Sequence, residues 1–454
     1  MSLMFDSVIK MTFTNVVSKA FKLLRSIFTP FQFGFIQCHS YLTERQLGQI
    51  KSLLYSKDNL EKQQVILEFE ERFGKLVGPG MALSFASGRM AFYALMETLG
   101  IGEGDEVIIT AFTCSVMPNA VMKRGAVPVY ADMDKDTFGS NANAIQKVIT
   151  SKTRLIVAQH SFGIPCDIEP IIRLAKEHRI YVVEDCAISL DSSLNGIKVG
   201  NWGDAAFFST DHSKPLNTII GGVLYTQNPV IHEGVGRLAR ISPQLSHEHQ
   251  QNLHQKMLFE RKHYIPTRYP RAWIFSFIAK IKSKILGAKH IIFLEDNYTS
   301  PSSKKERYPY PAAMPAFLAL LGIFELERWN MEKARRKSLL SILVAKLQQS
   351  ALSASLPAVY SDSTRDIVPL RFVFTSTDSR PLIQQLGQYI DVNWIWFRKP
   401  ITCAIEGMKS LNYISGSCSV SEEIGREIVN FPCNITERTE LDLHYGIDQA
   451  LGRI

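Results

Sequence analysis

A lysine in a polar turn between two apolar runs is the residue best placed for chemistry in this chain. The run 205–209 is apolar up to its last residue, Lys214 follows in a polar turn, and Gly221 and Gly222 precede a second apolar run at 223–225. Such a lysine can lie buried beside a ligand and react as a neutral amine, because desolvation or nearby positive charge lowers its pKa. The pattern therefore predicts a nucleophilic or Schiff-base lysine.

Two more polar residues stand at the ends of apolar runs. Asp185 ends the run 181–184, and Ser209 ends the run that precedes Lys214. A lysine, a strand-end aspartate and a hydroxyl form the set that pyridoxal phosphate (PLP) chemistry requires. The lysine forms a Schiff base, the aspartate keeps the pyridine nitrogen protonated, and the hydroxyl helps to hold the phosphate. The alternative role of Asp185 is an ordinary helix cap.

The turn Ser87-Gly88-Arg89 joins a predicted strand to a predicted helix. Free backbone amides at a helix N-terminus attract phosphate, and a glycine lets the ligand approach closely. Most junctions of this kind only make a turn, so the turn alone is weak evidence for phosphate binding, and Lys214 and Asp185 support it. Together they predict a phosphate-binding turn.

Strands and helices alternate from about residue 80 onward. The predicted strands cover 81–85, 106–110, 128–131, 155–159 and 181–184, and the predicted helices cover 90–99, 117–124, 142–149 and 167–177. Apolar strands without clean alternation predict an α/β fold with a mostly parallel sheet between helices. Ligands bind such sheets at the carboxyl ends of the strands. The residues at or just beyond those ends are Ser87, Phe112, His160, Asp185 and Ser209.

Composition narrows the class of protein. The chain has 454 residues, a net charge of +8, widely spread basic residues and seven cysteines. We expect neither a nucleic-acid groove nor a disulfide framework or metal site, because there is no long basic run and no Cys-x-x-Cys pair. No apolar run reaches the roughly 18 residues of a membrane span, and no signal peptide is evident. These features predict a cytoplasmic protein.

The chain divides into three predicted parts. Residues 1–64 form a basic amphipathic N-terminal extension, residues 65–310 a large domain with an insertion at about 228–308, and residues 311–454 a linking helix and a small C-terminal α/β domain. The linking helix is expected at 316–344, with a break near Trp329. The basic amphipathic segments 8–36 and 271–289 favour either peripheral membrane contact or packing against the body or a partner subunit.

Several ordered motifs resemble the DegT/DnrJ family of sugar aminotransferases, which are PLP enzymes of fold type I, the aspartate-aminotransferase-like fold. The motifs are Ala86-Ser87-Gly88-Arg89-Met90-Ala91, Gly104-Asp105-Glu106-Val107-Ile108, Gly125-Ala126-Val127-Pro128-Val129-Tyr130-Ala131-Asp132, His160-Ser161-Phe162-Gly163, Glu184-Asp185-Cys186-Ala187 and the segment from Ser209 to Lys214. The resemblance is strong over about 65–225 and looser elsewhere.

The resemblance implies a role for each candidate residue. Lys214 would carry the Schiff base, Asp185 would pair with the pyridine nitrogen, and Ser209 with the Ser87–Arg89 turn would hold the phosphate. Cys114 falls where the family has a residue against the cofactor ring. The implied reaction moves an amino group from glutamate to a keto sugar nucleotide for polysaccharide or lipopolysaccharide synthesis. The implied assembly is a homodimer with its active sites at the interface.

This chain departs from the family pattern near the cofactor. Cys114 replaces the usual stacking aromatic residue, a role that Phe112 could take over, and Ile188 replaces a polar residue. Pro311 and Ala313 stand in the segment whose asparagine usually reaches the partner subunit's phosphate. We expect a basic residue such as Arg89 to replace that contact.

Two other functions stay open at the level of sequence. Relatives that remove a sugar hydroxyl carry histidine at the Schiff-base position, so Lys214 favours transamination over dehydration. The departures also allow a family member that has become a regulator or scaffold. Retention of Lys214, Asp185 and Ser209 together argues for chemistry.

Overall fold

The computed structural model describes residues 39–264 and 308–433, except for a few positions between 378 and 394. It also describes isolated helical residues near 274–281 and 445–448. The helices are α1 Glu44–Tyr55, α2 Asn59–Val77, α3 Gly88–Thr98, α4 Val116–Lys123, α5 Ala142–Gln146, α6 Ile168–His178, α7 Pro229–Ile241, α8 His247–His263, α9 Ala316–Gln348, α10 Ser379–Leu386 and α11 Ser419–Glu427. The strands are β1 Met81–Phe85, β2 Glu106–Thr110, β3 Thr113–Cys114, β4 Val127–Ala131, β5 Thr153–Gln159, β6 Tyr181–Asp185, β7 Ser193–Leu194, β8 Ile197–Lys198, β9 Ala205–Ser209, β10 Gly222–Thr226, β11 Arg365–Asp366, β12 Arg371–Thr375, β13 Ile401–Thr402 and β14 Ile428–Pro432.

A seven-stranded sheet forms the centre of the large domain. Its order is β1-β10-β9-β6-β5-β2-β4. The pairs β2–β4, β2–β5, β5–β6 and β6–β9 are parallel, whereas β10 runs antiparallel to both of its neighbours. The predicted α/β fold with a mostly parallel sheet is confirmed, and six strands direct their carboxyl ends to one edge.

Apolar side chains cover both faces of this sheet. A large cluster joins one face to α2, α3 and α9, with Phe73, Phe92 and Phe208 among its buried residues. A smaller cluster joins the opposite face to α6, with Ile156 and Ile171 at its centre. Burial on both faces explains why the strands read as continuous apolar runs rather than alternating ones.

The C-terminal part packs its own core around a two-stranded sheet. Strands β12 and β14 pair antiparallel, and Phe372 and Phe431 pack with Leu343 from the second half of α9. Helix α9 therefore contributes to the cores of both the large and the C-terminal parts. This arrangement brings residues after 390 back towards the large sheet.

Helix α9 differs from its prediction. It is continuous over Ala316–Gln348, so the expected break near Trp329 is wrong. Trp329 is buried, and its indole Nε1 donates a hydrogen bond to Asp191 Oδ2 at 3.1 Å. Tertiary burial and this bond hold a bulky residue inside the helix, which propensity alone disfavours.

The expected N-terminal boundary falls inside a helix. Helix α2 runs from Asn59 to Val77, so residue 64 does not separate two structural units. Asp58 caps this helix through its Oδ1, which accepts the backbone N–H groups of Leu60 and Glu61. The rest of the domain division stays a prediction, and the amphipathic segment 8–36 and most of 271–289 lie outside the described residues.

Candidate active site

The turn before α3 has the form of an anion site. Ser87 precedes the helix, and its hydroxyl oxygen is buried without a hydrogen-bond partner. The first backbone amides of a helix have no carbonyl partner within that helix, and Gly88 is the first residue of α3. A buried, unsatisfied hydroxyl at the positive end of a helix dipole is suited to a phosphate oxygen.

Glycine is required where this turn meets the end of the sheet. A Cβ on Gly222 would lie 2.1 Å from the backbone nitrogen of Gly88. A Cβ on Gly88 would lie 3.0 Å from the carbonyl oxygen of Phe208 and 3.3 Å from the Cβ of Ser209. The two glycines thus allow the Ser87 turn to lie against Ser209, and the structure brings these predicted phosphate-binding residues together.

Lys214 lies on the loop that joins β9 to β10. Its backbone N–H donates to the carbonyl of Asp211 at 2.9 Å, which closes a turn around the lysine. The backbone of Thr210 pairs with Gly221 and Thr218, and the hydroxyls of Thr210 and Thr218 are 2.6 Å apart. These hydrogen bonds order the loop between β9 and β10, so the backbone that carries Lys214 has a defined position.

Asp185 ends β6 as a buried carboxylate. It is 5% exposed, and its Oδ1 accepts the backbone N–H of Ala187 at 2.9 Å. Burial raises the pKa of Asp185 to about 6, while the Ala187 bond and the positive charge of Lys214 act in the opposite direction. The lysine and the aspartate therefore lie within electrostatic range of each other, and a cationic ring beside Asp185 would favour the charged carboxylate further.

Glu184 supports Asp185 from the other side of the same strand. Its Oε1 accepts the backbone N–H groups of Trp202 and Gly203 at 2.7 and 2.9 Å. Its Oε2 accepts Gly200 N–H and lies 3.0 Å from His160 Nε2. Glu184 thus fixes the strand end and the entry to β9.

His160 completes this buried support. It is 0% exposed, and its Nδ1 accepts the backbone N–H of Cys166 at 3.1 Å. Its other ring nitrogen, Nε2, faces Glu184, and Nε2 is the donor in this pair because Nδ1 accepts the Cys166 bond. Both nitrogens of His160 are engaged in supporting β5 and β6.

A second buried acid stands behind the Lys214 loop. Glu260 of α8 is 0% exposed, and burial raises its pKa to about 7. The Nδ1 of His212 lies 3.8 Å from Glu260 Oε1, and Lys256 Nζ lies 3.6 Å from the same oxygen. Burial lowers the pKa of His212 to about 4, so the imidazole beside Lys214 is neutral at pH 7.

Cys114 occupies a junction between the large domain and the C-terminal part. Its strand β3 pairs in parallel with β13, with Cys114 opposite Thr402. The hydroxyl of Ser115 donates to the carbonyl of Cys403 at 2.9 Å. A hydrogen bond with Cys403 and burial raise the pKa of the Cys114 thiol. Cys114 is therefore a neutral, half-buried thiol within the electrostatic range of Lys214.

Phe112 and Ile188 belong to a hydrophobic cluster. Phe112 is 0% exposed, and its ring centroid lies 4.8 Å from that of Phe397 and 6.3 Å from that of Phe162. Ile188, which is 5% exposed, is part of the same cluster. The expectation that Phe112 takes over the stacking role stays a prediction, and its ring packs within this aromatic cluster.

The segment that departs most from the family pattern lies beside the phosphate turn. The hydroxyl of Tyr310 donates to the carbonyl of Arg89 at 3.4 Å, and Ala86 N–H donates to Ala312 O at 2.9 Å. Pro311 follows Tyr310 through a cis peptide bond. The segment thus pairs with its own chain, and a role for Arg89 in the partner's site stays a prediction.

The structure also places residues at the site that sequence reasoning missed. The indole of Trp396 lies over Lys214, with Nζ 5.1 Å from the ring centroid. Glu260 lies beside His212 of the Lys214 loop, and Cys403 forms a hydrogen bond with the Cys114 thiol. No local signal identifies these residues, because they lie far along the chain from Lys214 and reach it only through tertiary packing.

Comparison with known proteins agrees with this geometry. Residues 41–262 match the model of the DegT/DnrJ/EryC1/StrS aminotransferase family. The chain is also 33% identical over 192 residues to the GDP-perosamine synthase of Escherichia coli O157:H7, an alignment that covers 42% of this chain and 53% of that relative. Residues 41–262 therefore resemble this aminotransferase family. The resemblance expected from the motifs is confirmed, and the chain spans about half the length of the curated relatives it matches.

Solved structures extend the likeness to the whole fold. The aminotransferase from Psychrobacter cryohalolentis superposes with a TM-score of 0.66 at 20% identity, covering 91% of this chain and 98% of that one. A sugar aminotransferase from Streptococcus pneumoniae in its PLP form gives a TM-score of 0.65 at 19% identity, covering 93% of this chain and 98% of that one. At this identity the likeness establishes the fold.

The family's cofactor is PLP, and the residues present here fit it. The unsatisfied Ser87 hydroxyl and the α3 amides suit its phosphate, and the buried Asp185 suits a protonated ring nitrogen. Lys214 supplies an amine within electrostatic range of Asp185. The predicted roles of Ser209 and Cys114 remain predictions, and their positions in the structure are compatible with them.

Proposed function

We propose that this protein is a PLP-dependent aminotransferase that moves an amino group from glutamate to a keto sugar nucleotide. One observation carries the proposal: the adjacent parallel strands β6 and β9 place the buried carboxylate of Asp185 and the loop of Lys214 at the same carboxyl edge of the sheet. The family match supports the reaction class. The name of the GDP-perosamine synthase relative supports a nucleotide-linked sugar as acceptor.

Each site residue has a defined task in this proposal. When bound, PLP supplies an electron sink for the carbon that bears the amino group. Lys214 holds the cofactor through Nζ and afterwards moves a proton with the same amine. Asp185 keeps the ring nitrogen protonated through its negative charge, and Ser87, Ser209 and the α3 amides hold the phosphate.

Direct assay of the purified protein tests the proposal. We expect the protein to bind PLP and, with glutamate and a panel of keto sugar nucleotides, to form one aminated sugar nucleotide, detected by mass spectrometry. Lys214→Ala is the matched control and should form none, whereas exposed Lys135→Ala should match the wild type. A wild type that binds no PLP, or that binds it and aminates none of the panel, would overturn the proposal.

We further infer that the enzyme is a cytoplasmic homodimer that serves surface-polysaccharide or lipopolysaccharide synthesis. Support comes from the family resemblance and from the odd, irregularly spaced cysteines. In the described part of the chain, no helix combines the length and apolar character needed to cross a bilayer. Light scattering after size exclusion measures the dimer, and a monomeric holoenzyme would contradict it.

Peripheral membrane contact through segments 8–36 and 271–289 is a separate proposal. Their basic amphipathic pattern supports binding to anionic lipid, which salt should weaken. Co-sedimentation with anionic and neutral vesicles tests it, with a variant that lacks residues 1–38 as control. Equal absence of binding to both vesicles at low salt would refute it.

A further inference from the structure

The indole of Trp396 is the aromatic group that the structure places at the reactive amine. Lys214 Nζ lies 5.1 Å from the centre of the Trp396 ring. Trp396 is only half-buried, unlike the neighbouring Phe397, which is 5% exposed within the aromatic cluster around Phe112. Trp396 therefore keeps some solvent exposure while its ring lies next to Lys214.

A buried polar network holds the backbone of Trp396, and one member of this network lies against the ring. The backbone N–H of Trp396 donates to Asn430 Oδ1 at 3.2 Å, and Asn430 Nδ2 donates to the carbonyl of Trp396 at 3.0 Å. Arg371 donates from Nε to the same Oδ1 at 2.6 Å, and its guanidinium lies 4.8 Å from the indole centre. Asn430 and Arg371 are 0% and 2% exposed. Satisfied buried networks of this kind hold one conformation.

The chemistry of an indole face selects what can lie on it. The face carries partial negative charge, so it attracts the ammonium of Lys214 in the ligand-free protein and disfavours carboxylates. A glutamate donor bears two carboxylates and gains little from such a surface. A sugar ring presents apolar C–H groups that match an aromatic face. Because the ring is 5.1 Å from Nζ, a substrate that reacts near this amine comes within reach of it.

We propose that Trp396 is the platform for the sugar ring of the acceptor and a specificity-determining residue of the site. This inference rests on the proposed aminotransferase function. It also gives the C-terminal part a defined task. Strands β12 and β14 supply Arg371, which lies against the ring, and Asn430, which bonds the Trp396 backbone, and together they place the ring beside Lys214.

The test compares the two substrates of the enzyme in three variants. Trp396→Ala removes the ring, and Trp396→Phe keeps a smaller aromatic ring. Trp202→Phe is the control, because Trp202 lies in the loop that precedes β9. We expect Trp396→Ala to raise the KM for the aminated keto sugar nucleotide on the order of tenfold. Its KM for glutamate and its Kd for PLP should stay within about twofold. Trp396→Phe should retain most of the acceptor affinity, and Trp202→Phe should match the wild type.

Other outcomes would overturn the inference. Equal increases in both KM values, an unchanged acceptor KM, or a loss confined to PLP affinity would each show that the ring does not hold the sugar. Near-ultraviolet circular dichroism checks folding, and if Trp396→Ala is unfolded, Trp396→Leu provides a second variant without the aromatic face. A wild type that aminates no sugar nucleotide contradicts the proposed function instead, so the two failures are distinguishable.

Discussion

Replacing Asp185 with asparagine should stabilise the protein without its cofactor and impair the enzyme that contains it. The carboxylate is 5% exposed, and it accepts one backbone N–H, from Ala187, that an asparagine oxygen can also accept. The substitution therefore removes the charge while it keeps the shape and this hydrogen bond. It separates the energetic cost of a buried charge from its use in binding.

The magnitude follows from the pKa of the buried group. Burial raises the pKa of Asp185 from 3.8 to about 6. A difference of about two units corresponds to about 3 kcal/mol. As the pH rises from about 4, the unfolded chain loses this proton before the folded chain does, so the stability of the apoprotein falls. The loss is complete just above pH 6, and Asp185→Asn should avoid it.

Urea unfolding of the apoprotein at several pH values measures this effect. The variant should be more stable than the wild type by about 3 kcal/mol at pH 8, by about half of that at pH 5, and by little below pH 4. Exposed Asp136→Asn is the matched control, and its difference from the wild type should not follow this profile. In the holoenzyme, Asp185→Asn should lower kcat/KM by at least about a hundredfold, because the charge near the ring nitrogen is lost.

Two results would refute this reasoning. A variant that is less stable than the wild-type apoprotein at pH 8 would show that the carboxylate is stabilised by its neighbours rather than penalised by burial. A variant with unchanged PLP affinity and kcat/KM would show that Asp185 does not act on the cofactor.

Three further predictions concern single residues. Lys214→Ala should abolish attachment of PLP after borohydride reduction, and mass spectrometry of the intact protein measures the loss; attachment in this variant would move the Schiff base elsewhere. Gly222→Ala should destabilise the protein by more than about 3 kcal/mol, because its Cβ would lie 2.1 Å from the first backbone nitrogen of α3. Gly236→Ala, inside helix α7 with no atom closer than 3.5 Å to its Cβ, should instead increase the stability of the folded protein by about 0.5–1 kcal/mol. Thermal unfolding compares the two variants, and equal effects would contradict the close approach at Gly222. Iodoacetamide at pH 8 should label exposed Cys403 before Cys114, since a hydrogen bond with Cys403 and burial raise the pKa of the Cys114 thiol; peptide mass spectrometry reports the order, and preferential labelling of Cys114 would contradict it.

Local sequence patterns predicted the large domain well. Apolar runs bounded by turn residues located β1, β2 and β6 within a residue of their observed ends. Asp185 and Ser209 were identified because parallel strands bring their carboxyl ends to one edge of the sheet, independently of how the rest of the chain packs. The same patterns failed at Trp329, where a buried indole and its bond to Asp191 keep α9 continuous.

The amino-acid sequence by itself determined the positions of Lys214, of the acidic strand end, of the Ser87–Arg89 turn and of the sheet that carries them, because each depends on a short run of neighbouring residues. Only the tertiary structure decided what surrounds Lys214. Trp396 and Cys403 belong to the part of the chain that follows α9. The strands of that part, β12, β13 and β14, place these residues next to the Lys214 loop and Cys114. The packing of Phe112 was decided in the same way, because its ring joins Phe397 from the distant C-terminal part.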